Sequence, residues 1–403
     1  MDFWTFPIDS LPTYTGNDSL RSIADFDTEP KEEEFSLVER IHKAKMNKPK
    51  QPVKSQRKKK SYRKPRDASI EIGTEWKLIE QIEFSRLSKL KYTPDENCVL
   101  KMQEAPEDDL TFEKITAKTQ KPLVASQGHI ESVTSSEDPV LKEYINGDKP
   151  LSDSDSKLIF GTDILVSLIM ASSRSVYPWD ILMTRVGNTL ILDKRPDSLI
   201  DMLTVNETAS DPPETDSAIP NNATALSIEA TNINISYRNQ VTGNQPPGYE
   251  YRQIRMGTST LILRCQIDCQ SNSKKYIVRC LNEYNRQVDW RQNLDSKRGS
   301  VIATELRNNA MKLSKWTFES ILSESHIKLG FVSRVHAKDP NHHSILGQIS
   351  LSPEEFAGQI NMEISNGFGI LKAITDLVLS FPEGKYILVK DANRGILRIY
   401  ETQ

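Results

Sequence analysis

The sequence predicts an α+β (mixed α/β) fold: one domain of about 335 residues over 67–403, with two sheets and flanking helices, behind a disordered N-terminal tail over 1–66. Three observations lead there. Apolar residues are only 37% of the 403, and glycine lifts the total a little, short of the roughly 45–50% of a chain packed throughout. Charge is segregated, with 3 Lys/Arg against 10 Asp/Glu over 1–40, then 12 Lys/Arg and no acid over 41–66. From Leu158 onward, short apolar strand-like runs alternate with stretches of helical spacing, the pattern of sheets covered by helices.

The tail divides by charge. The basic block over 41–66 holds Pro49, Pro52 and Pro65 and almost nothing apolar, so like-charge repulsion keeps it extended. Its cations Arg57, Lys58, Lys59, Lys60, Arg63, Lys64 and Arg66 suit contact with nucleic-acid phosphates, since each neutralised phosphate releases counterions. A nuclear import signal and a merely solubilising tail are the other readings. The acidic segment over 1–40 carries Phe3, Trp4, Phe6, Leu20, Ile23 and Phe26. Isolated aromatics in such a tail usually do nothing, yet they are what a partner-docking segment needs.

Order begins near Asp67, and Ser69 to Phe84 has enough β-branched and large apolar residues for a strand or two. Residues 85–157 are mixed and polar. Asp163 N-caps a helix whose stripe is Ile164, Leu165, Leu168 and Ile169. The runs over 179–186 and 188–193 form a hairpin around Gly187-Asn188. Residues 196–224 lose periodicity and hold Pro196, Pro212, Pro213 and Pro220, a loop long enough to be functional or disordered. Leu226, Ala230, Ile233 and Tyr237 then mark a helix. The strands over 258–267 and 274–281 pair edge to edge through a polar spacer. One amphipathic helix runs from Val301 to Leu322, and 326–335 is a strand. Phe368–Phe381 is a helix begun after Gly367 and ended by Pro382, and a hairpin turned at 391–394 closes the chain.

These features exclude several classes. The most apolar stretch, Leu158–Ala171, is too short for a membrane span and is interrupted by Gly161, Thr162 and Asp163. The first ten residues lack the positive charge and apolar run of a signal peptide. Four cysteines are too few for a disulfide scaffold, so a reducing, cytoplasmic setting is expected. Cys265, Cys269 and Cys280 have no nearby histidine, and with the first two on one strand they read as buried thiols rather than a zinc site. His342-His343 reads as a solvated loop. Gly367-Phe368-Gly369 lacks a third glycine and a βαβ setting, and no Walker lysine or nucleophile elbow is present. No cofactor and no metal are expected.

One acidic arrangement carries more. Gln266-Ile267-Asp268 ends a strand, and Glu305-Leu306-Arg307 opens the long helix or a strand before it. A nuclease that clamps two cations wants E-x-D and E-x-K in such places. Gln266 cannot supply the anionic charge, and a permanently protonated Arg307 cannot act as a base. The scaffold of a nuclease site is expected, with its chemistry disabled.

Several blocks, in order, are similar to one family. The run Asp289–Thr317 resembles the signature stretch of the D subunit of eukaryotic translation initiation factor 3. So do Arg63–Ile72, Ser173–Ile181, the runs over 190–198 and 201–213, the pair over 328–339 and 343–348, and the closing 383–400. The resemblance implies two mixed sheets with flanking helices around a cup-shaped cavity, similar to the decapping exonuclease fold. It implies a non-enzymatic component of the initiation factor 3 complex that binds the 5′ cap of selected messenger RNAs and supports recruitment to the small ribosomal subunit. Residues 67–403 would be the cap-binding domain. The implied partners are capped mRNA, the other subunits of the factor (its E subunit foremost) and the small ribosomal subunit, with no membrane. The rival readings are a metal-dependent decapping or 5′-end exonuclease of the same fold, and an assembly scaffold that binds no cap.

By the same resemblance, the cap-contacting positions are Asp163, Val176, Tyr177, Thr231 and Asn234, with Ile235 where the family has a histidine. A methylated guanine is cationic, so an electron-rich ring such as Tyr177 and a carboxylate such as Asp163 suit it. The plain alternative makes Asp163 a helix cap and Tyr177 a core aromatic. The irregular run Leu199, Ile200, Asp201, Met202, Leu203, Thr204, Val205, Asn206, Glu207, Thr208, Ala209, Ser210, Asp211, Pro212 and Pro213 corresponds to the family's RNA gate. Its acids would repel phosphate when the gate is shut. A plain linker is the alternative.

Overall fold

The computed structural model describes residues 70–402, apart from 109–111, 113, 117, 127–133, 150–156, 176 and 285–288. The expectations for the tail over 1–66 and for Val176 therefore lie outside the described residues. Along the chain run β1 (Lys77–Glu83), α1 (Phe84–Leu87), β2 (Glu96–Gln103), β3 (Lys121–Val124), α2 (Pro139–Ile145), β4 (Lys157–Thr162), α3 (Asp163–Met170), β5 (Trp179–Val186) and β6 (Thr189–Asp193). After a long irregular stretch come α4 (Ala223–Val241), β7 (Gly248–Met256), β8 (Ser259–Ile267), β9 (Cys269–Ser271), β10 (Lys274–Asn282), α5 (Trp290–Asn308) and α6 (Ala310–Leu322). Then β11 (His326–Arg334), β12 (His342–Leu351), α7 (Pro353–Gln359), α8 (Ile364–Ser380), β13 (Gly384–Lys390) and β14 (Ile396–Thr402) complete it.

The strands form two mixed sheets, in the orders β1-β14-β13-β5-β6-β4-β8-β7-β2 and β3-β12-β11-β10-β9. Strand β4 lies parallel to both β6 and β8, and β10 lies parallel to β11. Parallel central strands are covered on both faces, which is why β4 and β8 read as near-continuous apolar runs. The largest core joins one face of each sheet through α3, α6 and α8. A second core packs α4 on the far face of the smaller sheet, and a third packs α2 on the larger one. Along β10 the period-2 rule holds: Ile277 and Leu281 enter the first core, Val278 and Cys280 the second.

Several expectations are corrected. Strands β8 and β10 do not pair; β10 pairs with β9 and β11, in the other sheet from β8. Cys265 and Cys269 accordingly lie on strands of different sheets, both buried as free thiols, and among the described residues no group could hold a metal ion. The helix expected over 301–322 is two, because Asn309 breaks it with φ −134° and ψ 44°. Gly367 lies inside α8 rather than before it, and a Cβ there would stand 2.3 Å from the Phe318 ring of α6. His343 is buried in β12 against Glu229, not in a solvated loop. Thr162, not Asp163, caps α3.

Candidate functional site

Helix α6 is apolar in its length but carries Lys312, Lys315 and Glu319 on one stripe. Two hollows open beside that stripe. The first, about 140 Å³, is lined by Tyr177, Pro178 and Trp179 at the start of β5, by 197–200 and 202–204 of the irregular segment, and by Lys312, Lys315 and Trp316. The second, about 120 Å³, is lined by Thr231, Asn234, Ile235 and Arg238 of α4, by Gln266 and Arg279, and by Asp201, Leu203, Lys315, Trp316 and Glu319. Leu203, Lys315 and Trp316 thus line both. Each hollow alone is well below the about 300–1,000 Å³ of ordinary ligand pockets.

The expected cap residues divide between them. Tyr177 lies on the first hollow, half-buried against the main core. Thr231 and Asn234 lie on the second, with Asn234 Nδ2 donating to the Cys280 carbonyl at 3.0 Å. Asp163 lines neither hollow and lies behind the second. It is 4% exposed, and its carboxylate accepts the N–H groups of Ile164 and Gln266, each at 2.9 Å. Burial raises the Asp163 carboxyl to about 7, helped by the charge of Glu319 and opposed by the Gln266 amide, Arg264 and Arg279.

The acids expected to sit together do not. Glu305 lies in the last turn of α5, held by Asn309 at 2.8 Å near Lys312 and Glu207, and not with Gln266 and Asp268. The carboxylate that joins Asp268 is Glu319. Arg279 lies between them, 2.7 Å from Asp268 and 3.0 Å from Glu319, while Gln266 Nε2 and the Val278 N–H also donate to Asp268 at 2.7 Å. A guanidinium occupies the place between carboxylates that a cation would need, so these residues do not fit a two-cation centre.

The segment over 199–213 has no helix or strand, as expected, yet it is heavily bonded. The Thr231 hydroxyl accepts the Leu203 N–H at 2.9 Å, and the Ser227 hydroxyl donates to the Leu203 carbonyl at 2.6 Å. Its far half inserts at the break between α5 and α6. Asn309 Oδ1 accepts the Asn206 N–H at 2.8 Å, and Glu207 and Thr208 accept the N–H groups of Lys312 and Ala310, each at 3.0 Å. Segment residues therefore cap α6, whose own Asn309 side chain does not. Burial pushes the Glu207 carboxyl up against the pull of Lys312.

Comparison with known proteins decides the family. The chain matches the family described as eukaryotic translation initiation factor 3 subunit 7 (eIF-3) over residues 21–248 and 243–401. The chain belongs to this initiation factor family. It is 38% identical over 403 residues to the D subunit of eukaryotic translation initiation factor 3 from Chaetomium globosum, covering 85% of this chain and 66% of that protein. The corresponding D subunit of Homo sapiens is 36% identical over 381 residues, covering 84% and 67% respectively. The chain spans about two thirds of the length of these curated relatives. Among solved structures, Rai1 of Scheffersomyces stipitis aligns with a TM-score of 0.50 at 10% identity, covering 83% of this chain and 93% of that one. At that identity the likeness shows the fold alone, and it is the fold expected from the sequence.

In this chain, sequence reasoning missed Lys312, Lys315, Trp316, Glu319, Arg238 and Arg279 as site residues. A signal was available for three of them: Lys312, Lys315 and Glu319 recur at i, i+3 and i+7 on a helix that is otherwise buried, where charge is expensive unless used.

Proposed function

We propose that this protein binds capped 5′ ends of messenger RNA within an initiation factor 3 complex, supports their recruitment to the small ribosomal subunit, and does not cleave them. The observation that carries the reading is the junction of two hollows at Leu203, Lys315 and Trp316, with Tyr177 on one side and Thr231 and Asn234 on the other. A methylated guanine against Tyr177 and a neighbouring nucleotide near Asn234 would use both hollows of one site. The segment over 199–213 acts as the gate, since Leu203 lines both hollows and neither alone admits a whole cap. The clamp of Arg279 on Asp268 and Glu319 argues against the decapping reading, because a guanidinium already lies between the two carboxyls where a cation would be held. The arm over 41–66 would contact RNA or ribosome, and 1–40 would dock onto the rest of the factor, its E subunit foremost, in the cytoplasm.

Titration with 7-methylguanosine triphosphate and with GTP, at two salt concentrations, tests this. Preference for the methylated nucleotide that is insensitive to salt and lost in Tyr177→Ala is the expected result. Equal binding of both nucleotides would leave a scaffold or a non-specific RNA binder. Metal-dependent release of cap from a capped oligonucleotide would establish the enzyme instead.

A further inference from the structure

Of the donors at the junction of the two hollows, Lys312 holds groups that come from the gate segment. Lys312 Nζ donates to the Thr204 carbonyl at 2.7 Å, and the Lys312 N–H donates to the Glu207 carboxylate at 3.0 Å. Lys315 lines both hollows, and its ion pair with Glu319 is long at 3.6 Å, to a carboxylate already bound by Arg279. On the far side, Arg238 lines the second hollow with a buried Nε that has no hydrogen-bond partner among the described residues.

Two acids in the same walls are committed elsewhere. Asp201 pairs with Lys194 at 2.7 Å, and Asp180 is held by Arg195 and Ser198. Cationic donors therefore run in a seam from Lys312 through Lys315 to Arg238. Buried donors of this kind call for charged acceptors. A seam that joins two small hollows is where a phosphate chain between two nucleosides would lie.

We infer that Lys312, Lys315 and Arg238 are the phosphate-binding residues of this site, and that the segment over 199–213 holds it shut by presenting to Lys312 the Thr204 carbonyl and Glu207 carboxylate in place of phosphate oxygens. The inference rests on the capped-RNA reading and extends it, by naming the ligand group that displaces the gate. Withdrawal of the segment strands the Lys312 ammonium and two α6 amides, and an arriving phosphate satisfies them. Gate and ligand therefore compete for the same donors.

The test uses the full chain and three probes: 7-methylguanosine without phosphate, its 5′-triphosphate, and GTP. In wild type the triphosphate binds more tightly than the nucleoside, and Lys315→Met and Arg238→Met each cut that ratio about tenfold. Hydrogen exchange over 199–213 rises on adding either triphosphate and stays level with the nucleoside. An unchanged ratio in both variants, or a gate whose exchange ignores the triphosphates, overturns the inference. If GTP matches the methylated triphosphate and both lose affinity in Lys315→Met, the phosphate seam stands and the cap reading falls. If the methyl group is recognised while Lys315→Met and the gate show no response, the cap reading stands and this inference falls. The exchange measurement on wild type decides the matter even where a variant fails to fold.

Discussion

Arg279 Nη1 lies 2.7 Å from Asp268 Oδ2, and from that position its Nη2 also reaches Glu319 at 3.0 Å. Asp268 and Glu319 are almost fully buried, and the guanidinium is the partner they share. Removing it takes that partner from both. Arg279→Met should cost on the order of 3–5 kcal/mol in denaturant unfolding. Adding Asp268→Asn and Glu319→Gln should recover much of that loss. A single variant as stable as wild type would show that the clamp is not what holds the cluster.

Stability should fall as pH rises through neutrality. Burial raises Asp163 to about 7, and it raises Glu305 to about 7 against the pull of Lys312, with Glu207 adding to the rise. A carboxyl raised in the folded state contributes stability that is fully present below its unfolded value of about 4. That contribution is lost as pH climbs through the folded value. The melting temperature is therefore higher at pH 5.5 than at pH 8.5, and Asp163→Asn makes the descent shallower. An Asp163→Asn protein with the wild-type slope would place the titration elsewhere.

The near half of the segment over 199–213 is held by one hydroxyl in particular. Thr231→Val preserves shape while removing the acceptor for the Leu203 N–H. Exchange at Leu203 should accelerate by about tenfold, the equivalent of one lost hydrogen bond, with little change in global melting. No local acceleration would mean that Ser227 or the far half of the segment holds it in place.

Contact between α6 and α8 has no room at Gly367, where an added Cβ would meet Phe318 at 2.3 Å. Gly367→Ala should destabilise by about 1–3 kcal/mol through overpacking, and Phe318→Leu in the same chain should relieve part of it. Calorimetry of the two variants checks the pair. Additive losses instead of relief would refute the steric account.

How much of this was legible depended on range. The β5–β6 and β13–β14 hairpins and the stripe of α4 are written in contiguous residues, where a turn or a repeat every three or four positions suffices. A pairing of β8 with β10 is the wrong reading because a polar spacer looks the same whether a chain turns back or crosses to another sheet. Strand β8 buries both faces and is satisfied by β4 and β7, which leaves the short β9 to turn into β10. The break at Asn309 is likewise invisible locally, since its cause is a segment bonded there from far upstream.

By itself, then, the chain determined its charge division, its mixed α and β character, its family, and the helices and strands that carry most of the candidate residues. Local periodicity and composition need only neighbours to express themselves. Only packing decided that Glu319 rather than Glu305 joins Asp268, that Arg279 lies between them, and that Leu203, Lys315 and Trp316 form one wall between two hollows. Those meetings are won by burial and hydrogen-bond satisfaction among distant segments, terms that no window of sequence contains.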